Sequence, residues 1–377
     1  MNTLLFALFS SVVSLPPLPS CPARSTWPGE SWADNTALAK QTRADKIAAF
    51  EQYAFTLKGT DAERKGIRTD GVVIIQNGVV MYEKYARGWD ASKRHISWSV
   101  AKSITSALTG VAVQQGKVSV EESFCTYLAS PDSRACGVTL RHLLEFASGF
   151  DWNEGYEDES YQTSSPINMF FGAGTADIAA FVISHGKKYE PGAHFEYSTG
   201  DPTLLLSAVN RAMTKDFGKE WPWTKFFDVL GAKSPVIEGD LKGNLLGGSM
   251  MYLTARDYAR IGYLYLNDGC WNGQRVLPEG WVQNSKVPSS AYLNSVPAST
   301  NQPNGWLWWL NVPSAPQGKT EKPWKDAPQD TITANGHWGQ FIVVIPSLDV
   351  VMVRIGDDRD SEFSLNEFIK LGLEVLP

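Results

Sequence analysis

The chain of 377 residues lacks most features that would classify it at once. It has no apolar run long enough to cross a bilayer. Its most apolar stretch, residues 4–15, is 12 residues long and interrupted by serines, whereas a spanning helix needs about 20. It has no basic run, and 40 Asp and Glu against 34 Lys and Arg leave a formal net charge of −6. That balance does not provide the electrostatic footprint of a nucleic-acid binder. The five histidines, His95, His142, His185, His194 and His337, have no ligand-like spacing, and there is no H-E-x-x-H. A metal is therefore not expected. There is also no G-x-S-x-G elbow, no P-loop and no G-x-G-x-x-G, so no nucleotide or other cofactor is expected. Cysteine is scarce: Cys21, Cys125, Cys136 and Cys270, with no C-x-x-C pair.

What is present looks globular. Hydrophobic residues make up 43% and charged residues 20%, enough for a large buried core. The 14 Trp and 13 Tyr are read first as core and second as walls of an aromatic cleft. Residues 1–22 stand apart: the apolar run leads into Pro16-Pro17-Leu18-Pro19-Ser20-Cys21. This segment is expected to be a secretory signal, placing the protein in the periplasm or outside the cell. A lipid anchor at Cys21 and a cytoplasmic location are the alternatives. Cys125 and Cys136 flank a short loop and are either a disulfide or two buried thiols; Cys270 has no evident partner.

The expected fold is α+β in three layers, an antiparallel sheet flanked by helices with an inserted, mostly helical domain. Gly71-Val72-Val73-Ile74-Ile75 and Val79-Val80-Met81-Tyr82-Glu83 flank Asn77-Gly78, a strong hairpin signal. A second hairpin is expected from Phe341-Ile342-Val343-Val344-Ile345 and Val350-Val351-Met352-Val353-Arg354. Between them the pattern is helical, with helices expected at 103–115, 140–147, 176–184, 202–213 and 255–266, and a last one at 361–375. Strands, then helices, then strands argue against βαβ alternation. The expected division is a sheet domain of residues 23–118 plus 242–377 and a helical domain of residues 119–241. Residues 284–330, rich in Ser, Pro, Asn and Trp, are expected to form a long surface excursion.

The tetrad S-x-x-K occurs twice, at Ser99-Val100-Ala101-Lys102 and Ser184-His185-Gly186-Lys187. The pattern alone is worth little, because this composition yields it by chance. Position separates the two. Ser184 ends a helical run ahead of Gly186, whereas Ser99 begins one. Residues three apart on a helix share a face, so Lys102 can reach the Ser99 hydroxyl. The positive end of the helix favours a developing oxyanion and disfavours an ammonium. A serine hydroxyl needs such a base to become a nucleophile.

Ser99-Val100-Ala101-Lys102-Ser103 resembles the first motif of the serine β-lactamase and penicillin-binding-protein superfamily. The likeness is to its class C-like branch, which includes family VIII carboxylesterases and 6-aminohexanoate-oligomer hydrolases. Leu143-Leu144-Glu145-Phe146-Ala147-Ser148-Gly149 and Pro191-Gly192-Ala193-His194-Phe195-Glu196-Tyr197-Ser198 are similar to later motifs of that branch, in the same order. The resemblance implies a metal-free serine hydrolase with Ser99, Lys102 and Tyr197 as catalytic residues. It implies an oxyanion hole from the backbone N–H groups of Ser99 and Gln340. Either Lys102 or Tyr197 is the base. It implies substrate contacts from Tyr156, Thr199, His337, Trp338 and Gly339. Glu154, Glu157, Asp158 and Glu159 are read first as a solvated acidic loop and second as partners for an amino group of the substrate.

Two departures bear on substrate. Tyr197-Ser198-Thr199 stands where the family has Y-x-N, and His337-Trp338-Gly339 where it has K-T-G. Imidazole is a weaker and pH-dependent cation beside lysine, which disfavours β-lactam carboxylates. The expected substrate is a small carboxylic ester or linear amide. A D-amino-acid peptidase or β-lactamase is the enzymatic alternative. A non-catalytic binding or scaffold protein on the same fold is the alternative of another class.

Overall fold

The computed structural model describes residues 21–128, 132–156, 160, 162–295, 300 and 302–377. The first expected hairpin forms as β2 (Thr69–Gln76) and β3 (Val79–Tyr85), after a two-residue strand β1 (Ala33–Asp34). Asn77 and Gly78 turn it with φ of 52° and 79°, the positive angles that Asn-Gly accepts most readily. The C-terminal half adds β4 (Trp309–Leu310), β5 (Ile332–Gly336), β6 (Gln340–Ile345) and β7 (Val350–Gly356). These seven form one sheet in the order β1-β3-β2-β7-β6-β5-β4. The chain's two ends thus meet at its centre, where β2 and β7 pair antiparallel. One pairing departs from the expected antiparallel sheet: β1 runs parallel to β3.

The two faces of the sheet feed separate cores, because strand side chains alternate. Val73 and Ile75 of β2, with Ile342 and Val344 of β6, pack with Ile104 and Leu108 of α2 (Val100–Gln114) and with Ile261 and Leu264 of α4 (Ala255–Leu266). Val72 and Ile74, with Val343 and Ile345, pack against Phe50 of α1 (Ala44–Phe55) and Phe368 of α5 (Leu365–Glu374). This is the three-layer α+β arrangement. Residues 119–241 carry the short helices Leu140–Leu144, Ser165–Phe171 and Ile178–Ser184 and the long α3 (Gly200–Phe217). Leu143, Ile183 and Leu206 from this stretch join the same core as α2. Among the described residues no helix is long and apolar enough to cross a membrane.

Three expectations need correction or completion. Residues 284–330 are a surface excursion only in part. Trp306, Leu307, Trp308 and Trp324 are buried, and the Ser103 hydroxyl donates to the Leu307 carbonyl at 2.6 Å. Trp306 and Trp308 join the core that holds α2, and Trp324 joins the core on the other face of the sheet with Phe50 and Phe368; their apolar area outweighs the polar residues between them. Cys270 has a partner: it is disulfide-bonded to Cys21, 249 positions away. With that sulfur in a disulfide, Cys21 has no thiol for a lipid thioether. Cys125 and Cys136 are also disulfide-bonded. Of the expected signal segment, residues 1–20 lie outside the described residues.

Candidate active site

Ser99 sits at the N-cap of α2, and its side chain does not cap the helix. Its hydroxyl is thus left for other partners. Lys102, one turn on, is 2% exposed. Its Nζ lies 2.8 Å from Ser99 Oγ, 2.8 Å from Thr199 Oγ1 and 2.9 Å from the Gly248 carbonyl. As an ammonium it donates to all three. Burial pulls its pKa down to about 8, while the nearby Glu154 carboxylate pulls it the other way. The other tetrad assembles nothing comparable. Ser184 donates to the Phe181 carbonyl, and the Lys187 ammonium lies over the Phe150 ring.

Tyr197 arrives from the chain just before α3. Its ring is held between Phe146 and Trp309, with centroids 4.9 and 5.3 Å away. It shares a side-chain hydrogen bond with Ser99, and Lys102 Nζ lies 5.0 Å from its ring centroid. Burial pushes its phenol well above the ordinary value, and Glu154 adds to the rise.

The turn between β5 and β6 closes the other side. A Cβ on Gly336 would stand 2.4 Å from the Ser97 carbonyl oxygen, so the end of β5 lies directly against the backbone that leads into Ser99. Trp338 and Gly339 make the turn with φ of 58° and 88°, and Gln340 then opens β6 opposite Gly336. Arg354 holds this turn from below: its Nη1 donates to the Gly339 carbonyl and to Asp358, both at 2.8 Å. The Gln340 amide donates to the Gly356 carbonyl at 2.6 Å and to the His337 carbonyl at 3.1 Å. His337 and Trp338 pack on the edge of Trp98, at 5.3 and 5.0 Å. Tyr156 stacks on His337 at 5.2 Å. An aromatic wall of Trp98, His337 and Tyr156 therefore rises beside Ser99.

Two expected substrate contacts are placed differently. Thr199 is fully buried; its hydroxyl is committed to Lys102 and to Glu154 and does not face the cleft. The Arg359 guanidinium covers one face of the Trp338 ring, 3.1 Å from its centroid. Glu154 also turns inward, away from any amino group in solution. One carboxylate oxygen accepts from the Thr199 hydroxyl and, at 3.3 Å, from Tyr156; the other accepts from the Thr199 N–H at 2.7 Å and the Trp152 indole at 2.6 Å. Glu157, Asp158 and Glu159 lie outside the described residues. Among the described residues, no group of three or more His, Cys, Asp and Glu is arranged to hold a metal.

Sequence reasoning did not find the Gly248 carbonyl, the inward role of Glu154 or the Arg354–Asp358 brace. Only the brace had a signal: an arginine inside an otherwise apolar strand demands a buried partner, and Asp358 follows it by four positions.

Comparison with known proteins places the chain in a family. The family described as Beta-lactamase matches residues 45–367. A 6-aminohexanoate-dimer hydrolase of Paenarthrobacter ureafaciens is 21% identical over 329 residues, covering 85% of this chain and 81% of that protein. Among solved structures, EstCE1, a hydrolase with promiscuous acyltransferase activity, gives a TM-score of 0.64 at 14% identity, over 90% of this chain and 99% of its own. The beta-lactamase/D-alanine carboxypeptidase from Pseudomonas syringae gives 0.57 at 14% identity, over 90% and 98%. At such identities the structural likeness speaks for the fold. The family match runs from α1 into α5 and takes in both sides of the Ser99 site, and this chain belongs to the beta-lactamase family.

Proposed function

We propose that this protein is a serine hydrolase that cleaves carboxylic esters or linear amides through an acyl-enzyme on Ser99. The observation that carries the reading is the buried Lys102 Nζ, 2.8 Å from Ser99 Oγ, with its pKa drawn down to about 8. A lysine so placed is a competent base near neutral pH. Ser99 Oγ attacks the carbonyl carbon while its proton passes to Lys102. Tyr197, whose phenol stays protonated because burial raises it, is the donor to the leaving group and not the base. The oxyanion sits between the backbone N–H groups of Ser99 and Gln340. Water then clears the acyl group by the reverse proton path.

The substrate side follows from what the cleft offers. His337 stands in place of a lysine, and Thr199 has no free donor for an acylamido carbonyl. Both disfavour β-lactam antibiotics. The aromatic wall of Trp98, His337 and Tyr156 suits an apolar acyl chain. The names of the hydrolase relatives support the same substrate range. The two disulfides support export to an oxidising compartment.

The test is covalent labelling with a fluorophosphonate, followed by peptide mapping. Ser99 should carry the label, and Ser99→Ala should lose both label and turnover of p-nitrophenyl butyrate while keeping its fold. An unlabelled Ser99 would favour the non-catalytic scaffold. Rapid nitrocefin hydrolysis would overturn the argument from His337.

A further inference from the structure

The bonding around Thr199 carries a consequence for the direction of proton transfer. A carboxylate only accepts hydrogen bonds. The short contact between Thr199 Oγ1 and Glu154 is therefore donated by the threonine hydroxyl. That leaves Thr199 Oγ1 with lone pairs only toward Lys102 Nζ, 2.8 Å away, and toward the Tyr156 hydroxyl at 3.4 Å. The Gly248 carbonyl, at 2.9 Å, also only accepts. Two of the three close neighbours of Nζ thus require an N–H from it. A neutral amine has two N–H bonds and one lone pair. The lone pair is left with one neighbour, Ser99 Oγ.

We infer that Glu154 is a positioning residue for the reaction: by taking the Thr199 hydroxyl proton it makes Thr199 an obligatory acceptor and aims the Lys102 lone pair at Ser99. The inference rests on the reading of Lys102 as the base. The step balances as a simple transfer. The Ser99 O–H bond breaks, its proton joins the Lys102 lone pair, and the freed oxygen pair forms the bond to the carbonyl carbon, whose π pair moves onto its oxygen. Without Glu154 the Thr199 hydroxyl is free to rotate and donate to Lys102. The lone pair is then consumed, and Lys102 presents an N–H to Ser99 where a base is required.

Glu154→Gln inverts this arrangement without changing its shape. The amide oxygen belongs with the two donors that now meet one carboxylate oxygen, the Thr199 N–H and the Trp152 indole. The amide NH2 then faces Thr199 Oγ1 and turns the hydroxyl toward Lys102. The substitution also removes the negative charge that raises Lys102. The other titratable groups on this cluster are Tyr197, Tyr156 and, stacked on Tyr156, His337; all are unchanged in the variant.

The experiment measures the acylation burst with a p-nitrophenyl ester, and its pH profile, in the wild type, E154Q, T199V and T199S. For E154Q we expect acylation to fall about a hundredfold, within the range of general-base catalysis, with KM little changed and the acid limb moved to lower pH. T199V should fall comparably, and T199S should recover most of what T199V loses. A normal burst and an unmoved limb in E154Q would overturn the inference while leaving Ser99 labelling, and hence the hydrolase reading, intact. So would a slow burst with an unmoved limb, the mark of a merely structural role. If E154Q does not fold, equal bursts in T199V and the wild type overturn it. Loss of fluorophosphonate labelling at Ser99 in the wild type itself would remove the base, and with it both proposals.

Discussion

Replacing Lys102 by methionine separates the two things burial does to this side chain. In the folded protein its pKa is drawn from the ordinary 10.5 down to about 8 by burial, against the opposing pull of Glu154. Below pH 8 the folded and unfolded chains both hold the proton. Between about 8 and 10.5 the unfolded chain holds it and the folded chain does not, so stability rises with pH across that window. Integrating from pH 7 to 10 gives a gain of about 2 to 3 kcal/mol for the wild type. Methionine keeps the apolar stem and has nothing to titrate, so K102M should lack this gain. The assay is urea unfolding of both proteins at pH 7, 8, 9 and 10. Tyrosines elsewhere titrate equally in the two, so the difference between the curves isolates Lys102. In the same series the wild-type kcat/KM should rise roughly tenfold from pH 7 to a plateau above pH 9, because only about a tenth of a base with this pKa is neutral at pH 7. K102M should retain almost no activity at any pH. Parallel stability curves, or a kcat/KM already flat at pH 7, would refute the assignment of a depressed pKa to Lys102.

Other perturbations test the parts that hold the site. Gly339→Ala places a Cβ 2.1 Å from Arg354 Nη1 at a backbone φ of 88°. It should destabilise the fold by about 1 to 3 kcal/mol and cut kcat at least a hundredfold, read by urea melts and ester turnover. Arg354→Met leaves Asp358 buried without its cation; a loss of about 3 to 5 kcal/mol is expected, and adding Asp358→Asn should return part of it. Removing the long disulfide as C21S/C270S should cost about 2 to 5 kcal/mol in denaturant melts. C125S/C136S, which opens a loop of only 11 positions against 249, should cost less.

The parts of the fold that were legible in the sequence are those whose signal is local. Both hairpins show continuous β-branched apolar runs around a turn segment, and the structure forms them with their ends moved by one or two positions. The helices at 100–114 and 255–266 declare themselves by continuous helix-compatible sequence. The pairing of Cys21 with Cys270 had no local signal at all. Nor did the burial of residues 306–308, where three consecutive positions oriented by tertiary packing overrode a loop-like composition. At the site, the sequence named Ser99, Lys102 and Tyr197 together, and the structure brings these three side chains into contact. Thr199, expected among the substrate contacts, is buried with its hydroxyl on Lys102 and Glu154, a direction that sequence position alone does not give. Side-chain direction at a helix start depends on what stands across from it, here Glu154 and Lys102.

That juxtaposition also accounts for the balance at Lys102. Ser99 and Thr199 each stand at the first turn of a helix, α2 and α3, and the Lys102 ammonium lies between them. The partial positive charge at each helix start acts with burial to drive the proton off. Unopposed, these forces would leave an amine too weakly basic to deprotonate a serine. Glu154 opposes both. It accepts from the Thr199 N–H at the head of α3, and its charge holds the lysine pKa up. In the proposed mechanism the carboxylate that orients the lone pair is thus also the charge that holds the Lys102 pKa up. For this reason a neutral substitute at residue 154 should alter the rate and the pH profile together, whereas a defect in folding alone would move only the amount of active protein.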